Sequence, residues 1–164
     1  MSAGNPRFFD VIVCDDVREE LGNKRSLMGI YENAIVLDAF PALLPRLCFV
    51  MKARTPGDRP FESLTFVVKR DDEVIIQTEL HSEQLAAIAR EEAPSLPDGA
   101  SPEPADSAIK LTAVMVLSPI TFEKPCRLRF RAITESEELR GGNFFVTNRH
   151  AGPKAVRSNE PAVS

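Results

Sequence analysis

The sequence is poor in the residues on which most sugar-binding and metal-binding sites depend. It contains no tryptophan, one tyrosine and two histidines. Sugar-binding sandwiches typically need exposed aromatic platforms, so this composition argues against that class. The histidines, His81 and His150, stand far apart and have no H-x-x-x-H or C-x-x-C spacing around them. We therefore expect no cofactor and no metal site built from histidine and cysteine.

Long apolar runs and paired cysteines are also missing. No stretch approaches the roughly 18 to 20 apolar residues that cross a bilayer, and no N-terminal signal pattern is visible. The three cysteines, Cys14, Cys48 and Cys126, each lie in an apolar run, and an odd number cannot all pair within one chain. They are interpreted as reduced core thiols, and a cytoplasmic location without membrane association is expected.

The net charge of −4 disfavours nonspecific binding to nucleic acid or to an anionic membrane surface. The charges are unevenly distributed along the chain. Acidic residues outnumber basic ones over 70–107, and the reverse holds over 124–157. Such polarity would suit contacts with a protein partner or between copies of the chain.

The strand pattern predicts a mainly β fold, an antiparallel β-sandwich of about eight strands with one short helix. In the segment CRLRFRAI, Cys126 to Ile133, apolar residues alternate with arginines, which places one face in a core and the other in water. Further strands are predicted over 8–15, 47–53, 109–117 and 143–147, with a hairpin over 61–80. A hairpin or one bulged strand is expected over 25–37.

The connections are predicted from glycine, proline and polar clusters. Residues 16–24 should form a turn or short helical bend, and Gly141-Gly142 should join the last two strands. Ser82 can cap a helix over 83–92. Residues 1–149 are expected to form one sandwich domain, in which 81–107 supplies the helix and a mobile, acidic, Pro-rich insertion. A flexible tail over 150–164 follows.

The N-terminal half resembles a known family. The segments that carry the resemblance are CDDVR from Cys14, GNKRSLMGIY from Gly22, and LPRL from Leu44. They resemble a bacterial family of small uncharacterised domains, in which a glycine and a lysine precede an S-L-x-G-I-Y segment and a later L-P-x-L. The resemblance covers roughly residues 8 to 70. It implies a compact β-rich domain, gives no activity, and carries no functional residue over.

The arginine stripe of the alternating strand is the first candidate binding surface. It consists of Arg127, Arg129 and Arg131, extended by Arg140. The guanidinium fork suits carboxylate and phosphate groups. The alternative is a solvated outer face that protects the sheet from edge pairing. That alternative is favoured by the absence of aromatic residues from the outward positions of this strand.

Paired carboxylates are the second candidate. Asp15-Asp16 directly follows a predicted strand, and Asp71-Asp72 occupies a predicted hairpin tip. Loop carboxylates can hold a hard cation such as calcium, or act in acid-base roles. Aspartate is also common in turns for conformational reasons alone.

Two functions remain open at the level of sequence. The first is a non-enzymatic binding or assembly module, which uses sheet edges or the arginine stripe for a protein partner or for self-association. The second is a small ligand- or cation-binding domain, or a hydrolase-like enzyme, that uses Asp15, Asp16, Asp71 or Asp72. The first is preferred because no catalytic constellation is visible, and no nucleic-acid partner is expected.

Overall fold

The described part of the protein is built almost entirely from strands, as its aromatic and β-branched segments predict. A computed structural model describes residues 6–91, 97–100 and 108–150. One helix, α1, spans Ser82–Glu91. The strands are β1 Phe8–Glu20, β2 Lys24–Tyr31, β3 Ala34–Leu37, β4 Ala42–Leu44, β5 Leu47–Thr55, β6 Leu64–Arg70, β7 Glu73–Leu80, β8 Ile109–Leu117, β9 Ile120–Phe122, β10 Cys126–Thr134 and β11 Glu138–Asn148.

The strands form two main sheets and one small ribbon. The four-stranded sheet has the order β2-β1-β5-β8, and the five-stranded sheet has the order β3-β11-β10-β6-β7. The ribbon pairs β4 with β9. Pairing is antiparallel except between β11 and β3, which run parallel. Antiparallel pairing with short connections agrees with the predicted fold class.

One apolar core joins the two main sheets. Phe49 of β5 packs edge-on against Phe130 of β10, with ring centroids 5.2 Å apart, and Phe9 of β1 packs against Phe66 of β6 at 5.7 Å. All four rings are buried. The predicted mainly β sandwich is therefore confirmed. The structure has more strands than expected, because segments as short as β4 and β9 are too brief to show a periodic pattern.

The first strand is longer than predicted. Residues 16–24 were expected to form a turn, but β1 continues to Glu20 and pairs there with Lys24 of β2. Only Gly22 and Asn23 adopt positive φ, at 78° and 57°. The predicted turn is therefore present at 21–23, but the prediction was wrong for residues 16–20. Both arms of this hairpin are exposed at their far end, so polar residues replace the apolar alternation that marks a strand.

Two further connections differ from the prediction. The segment 25–37 is neither a hairpin nor a bulged strand, since β2 belongs to the four-stranded sheet and β3 to the five-stranded sheet. Gly141-Gly142 does not join β10 to β11 but lies inside β11, beside a register shift between Arg129 and Arg131. Gly142 takes a φ of 86°, which suits a bulge.

Other predicted elements agree with the structure. The hairpin over 61–80 appears as β6 and β7. Helix α1 begins at Ser82 and buries Leu85. The mobile insertion predicted over 93–107, apart from residues 97–100, and the flexible tail beyond His150 lie outside the described residues.

Candidate binding face

The arginine stripe lies on the outer face of the five-stranded sheet, on its central strand β10. Leu128, Phe130 and Ala132 point into the core and are at most 2% exposed. The intervening Arg127 and Arg129 are half-buried on the opposite side. Because β11 and β6 flank β10, these arginines stand in the middle of a sheet face, where neighbouring side chains restrict them.

An exposed aromatic ring completes this surface. Phe145 of β11 stands directly opposite Arg127, is 46% exposed, and places its ring centroid 5.0 Å from Arg127 Cζ. The expectation that no aromatic residue points outward holds for β10 itself. It is wrong for the outer face of the sheet as a whole, because Phe145 of β11 is exposed there. The sequence did contain a signal, since adjacent residues in a strand point to opposite faces and one ring of the pair Phe144-Phe145 must face outward.

Arg127, Arg129 and Phe145 line an open concavity of about 630 Å³. Asp71, Pro125 and Thr147 complete its walls. Lys69 of β6 stands opposite Arg129 and adds a third positive charge beside the concavity. We call Arg127, Arg129, Lys69 and Phe145 the arginine face. Three cations next to one exposed ring form a surface with affinity for anions and an apolar support.

Asp71 holds the floor of the concavity in place. Its backbone N–H donates to the carbonyl oxygen of Arg127 at 2.8 Å, and the N–H of Arg127 donates to Asp71 Oδ1 at 3.0 Å. Asp71 has a φ of 52°, a conformation that aspartate tolerates in turns. The carboxylate is therefore committed to fixing the β6–β7 turn against β10.

Asp72 interacts only weakly with the arginine face. Its Oδ1 lies 3.4 Å from Arg129 Nη1, and its side chain is 99% exposed. Exposed ion pairs of this kind contribute about 0–1 kcal/mol. A carboxylate from another molecule can therefore replace Asp72 beside Arg129.

The bulge separates the remaining two arginines from the concavity. Arg131 Nε lies 3.2 Å from Glu138 Oε1, and Arg131 Nη1 donates to the carbonyl oxygen of Phe130 at 2.8 Å. Arg140 is exposed and stands opposite Arg131 in the register. The four predicted residues thus split into two pairs, of which Arg127 and Arg129 line the concavity.

Asp15 and Asp16 lie on the other sheet, inside β1 and not in a loop. Asp15 accepts a hydrogen bond from Tyr31 Oη, and its side chain fills the space that a side chain at Gly29 would need. Asp16 Oδ1 lies 2.9 Å from Arg46 Nε. Each carboxylate therefore has a structural partner, and the two aspartate pairs belong to different sheets.

The cation alternative finds no support in this geometry. Among the described residues, no group of three or more His, Cys, Asp or Glu side chains is placed to hold a metal ion. Asp71 and Asp72 instead contact the backbone of Arg127 and the side chain of Arg129.

The cysteines are poorly placed for nucleophilic chemistry. All three are free and buried. Burial raises the pKa of Cys14 to about 11, and neighbouring Cys48 and Asp15 act in the same direction. Burial also raises the pKa of Cys126, with a further contribution from Asp71. Thiols with raised pKa values are weak nucleophiles near neutral pH, in agreement with the interpretation as core residues.

A family model described as a family of unknown function, DUF6941, matches residues 10–147. No curated protein and no solved structure matches the chain. In the described ranges, no helix is long and apolar enough to cross a membrane.

Proposed function

The chain belongs to the family of unknown function DUF6941, and we propose that it is a non-enzymatic binding module whose arginine face holds an acidic segment of a protein partner. The observation that carries the proposal is the position of the Arg127 guanidinium over the ring of exposed Phe145, beside Arg129, in an open concavity. A guanidinium held over a ring by a cation–π contact keeps N–H groups that can donate to a carboxylate.

The surroundings of the two arginines favour an external carboxylate. Within the described parts of the chain, Arg129 has only the weak pair with exposed Asp72. Lys69 stands beside it and raises the local positive potential. Half-burial of Arg127 and Arg129 restricts their rotamers, which lowers the entropy lost when a ligand binds. By contrast Arg131 already pairs with Glu138, so we place it outside the contact.

A protein segment fits this surface better than a nucleic acid. Single-stranded nucleic acids are usually held by several aromatic rings along a positively charged groove. The arginine face offers one exposed ring, and the whole chain carries a net charge of −4. A short acidic segment needs two or three cations and one apolar support, which is what Arg127, Arg129, Lys69 and Phe145 supply.

The setting of this activity is part of the proposal. Three buried free thiols are typical of a reducing compartment and support a cytoplasmic location. The bacterial origin implied by the sequence resemblance stays a prediction.

The test uses a fluorescein-labelled peptide of ten glutamates as the acidic probe. Fluorescence anisotropy with the full chain should show binding that weakens as salt is added. The double substitution Arg127→Gln/Arg129→Gln should weaken binding at least about tenfold, since each lost charge-assisted hydrogen bond is worth roughly 1.5–3 kcal/mol. Phe145→Ala should weaken it less and leave its salt dependence unchanged.

The matched control is Arg18→Gln/Arg90→Gln, which removes the same charge from exposed arginines on β1 and α1. It should change the affinity less than about twofold if the contact is local. Equal losses in the two double variants would show only a general charge effect and would refute the proposal. It would fail equally if the peptide did not bind, or if single-stranded DNA of ten nucleotides bound more tightly.

A further inference from the structure

The outer face of the four-stranded sheet carries a second apolar cluster. β5 is buried on both sides over Leu47 to Met51, unlike a strand that faces water on one side. Leu47, Phe49 and Met51 join the main core, whereas Cys48 and Val50 form a separate buried cluster with Cys14. Partly buried Ile12, Leu27, Val17 and Val114 pack around that cluster.

An apolar row runs across the whole width of this face. Cys14 of β1 stands opposite Ile30 of β2 and Cys48 of β5, and Cys48 stands opposite Val116 of β8. The inner members are fully buried, but Ile30 is 51% exposed and Val116 is 44% exposed. The adjacent row is also aliphatic, with Val50 between Ile12 and Val114.

Charged residues border the apolar rows in a regular arrangement. On one side Asp10 of β1 stands opposite Lys52 of β5. On the other side Asp16 of β1 pairs with Arg46, which directly precedes β5. At both borders the acid therefore lies on the β1 side and the base on the β5 side.

We propose that a second copy of this chain packs on this face, related by a two-fold axis that runs parallel to the strands between β1 and β5. Such a rotation exchanges β1 with β5 and β2 with β8 while each residue keeps its level along the strands. Asp10 then faces Lys52 of the second copy, and Asp16 faces Arg46. Each apolar row then faces the same row of the second copy in the opposite order. Ile30 of one copy therefore contacts Val116 of the other.

The charge pattern is what selects a second copy as the occupant. An isologous interface must be self-complementary, since each residue meets the symmetry partner of another. A two-fold axis perpendicular to the strands would place Asp10 opposite Asp16 and Lys52 opposite Arg46, which is repulsive. Only the parallel axis brings acid to base at both borders. This dimer uses the face opposite to the arginine face, so it goes beyond the proposed function and does not depend on it.

Sedimentation velocity of the full chain tests the dimer directly. A species of twice the 18.1-kDa chain mass is expected. Val116→Lys should lose the dimer, because it places a charge in the apolar row. The matched control is Val74→Lys on β7, where the valine has a similar exposure of 46% but lies on the other sheet. A monomeric wild type, a dimer that survives Val116→Lys, or a dimer lost with Val74→Lys would each overturn the proposal.

A charge exchange tests the axis. Asp10→Lys and Lys52→Asp should each weaken the dimer, since each places like charges against one another across the interface. The double variant Asp10→Lys/Lys52→Asp should restore it. Single substitutions without effect, or a double variant no better than the singles, would rule out the parallel axis. Circular dichroism of every variant separates loss of the dimer from loss of folding.

Discussion

Asp71 and Arg127 exchange two hydrogen bonds, one through the aspartate N–H and one through its carboxylate. The first is 2.8 Å long and ends on the Arg127 carbonyl, and the second is 3.0 Å long and starts at the Arg127 N–H. A turn of the β6–β7 hairpin is thereby attached to the central strand of the sheet. The position of Arg127 beside Phe145 depends on this attachment.

Asp71→Ala should therefore destabilise the protein. It removes the acceptor for the Arg127 N–H and places alanine at a φ of 52°, so a loss of about 1–3 kcal/mol in unfolding free energy is expected. Asp71→Asn keeps an acceptor oxygen and tolerates this φ, so it should cost less than about 1 kcal/mol. Urea unfolding followed by far-ultraviolet circular dichroism measures both. Equal losses for the two variants would contradict this role of the carboxylate.

Gly29 offers a separate test of backbone conformation. Its φ is 65°, and a Cβ there would collide with the carboxylate of Asp15. Gly142 has a φ of 86° but open space around the Cβ position, so it is the matched control. Gly142→Ala should cost about 1 kcal/mol for the positive φ alone, and Gly29→Ala should cost more.

The excess cost at Gly29 should depend on Asp15. In an Asp15→Ala background, Gly29→Ala should cost less than in the wild-type background, because the colliding carboxylate is gone and only the close contact with the Cβ of residue 15, at 3.1 Å, remains. The double-mutant cycle measures this coupling. No coupling between the two positions would show that the strain lies in the backbone alone.

Structural features that depend on residues close together in the sequence could be predicted, whereas contacts between residues far apart in the sequence could not. The alternation from Cys126 to Ile133 is local, so the strand, its buried face and the arginine stripe could all be predicted. The contact between Arg127 and Phe145 requires the β10–β11 register, and the bulge that separates Arg131 from Arg129 depends on Gly141-Gly142 inside β11. Neither follows from local periodicity.

Arg7 shows the same limit more strongly. It is 6% exposed and donates to Thr55, Thr134, Ser136 and the carbonyl oxygen of Pro60, residues far apart in sequence. A single arginine near the start of the chain carries no local signal for such a position. Its acceptors come together only in the folded protein, where the end of β5 and the loop after it lie beside the end of β10 and the turn after it.

The ion pair between Arg7 and Glu135 predicts a pH dependence. Burial acts to raise the pKa of Glu135, but hydrogen bonds from backbone N–H groups and from Arg7 outweigh it and lower the pKa below the ordinary value of 4.5. A lowered pKa in the folded state contributes stability above the ordinary pKa, and that contribution is lost as the pH falls through the folded-state value.

Glu135→Gln should therefore destabilise the protein by about 1–3 kcal/mol at pH 7. The difference between variant and wild type should shrink as the pH falls below the ordinary value of 4.5, and it should vanish once the pH lies below the lowered folded-state pKa, where both side chains are neutral. Glu137→Gln on the same turn provides the control, because the Glu137 side chain forms no ion pair with any of the described residues. Thermal unfolding across this pH range measures the effect, and a difference that does not change with pH would contradict the assignment.

Tyr31 is the sole tyrosine, and with no tryptophan present its ionisation can be followed by ultraviolet absorbance without interference. Burial, then the hydrogen bond to Asp15 and the charge of that carboxylate, raise the pKa of Tyr31 from 10.0 to about 12. A raised pKa means that the neutral phenol contributes stability below pH 10.0, which is lost as the pH rises through about 12.

Asp15→Ala should lower the pKa of Tyr31 towards its ordinary value, because it removes both the acceptor and the negative charge. At a pH near 10.5, about half a unit above the ordinary tyrosine value, the variant should contain clearly more tyrosinate than the wild type. Circular dichroism at the same pH establishes that both proteins are folded when they are compared. Equal ionisation in the two folded proteins would show that Asp15 does not control Tyr31, and that burial alone sets its pKa.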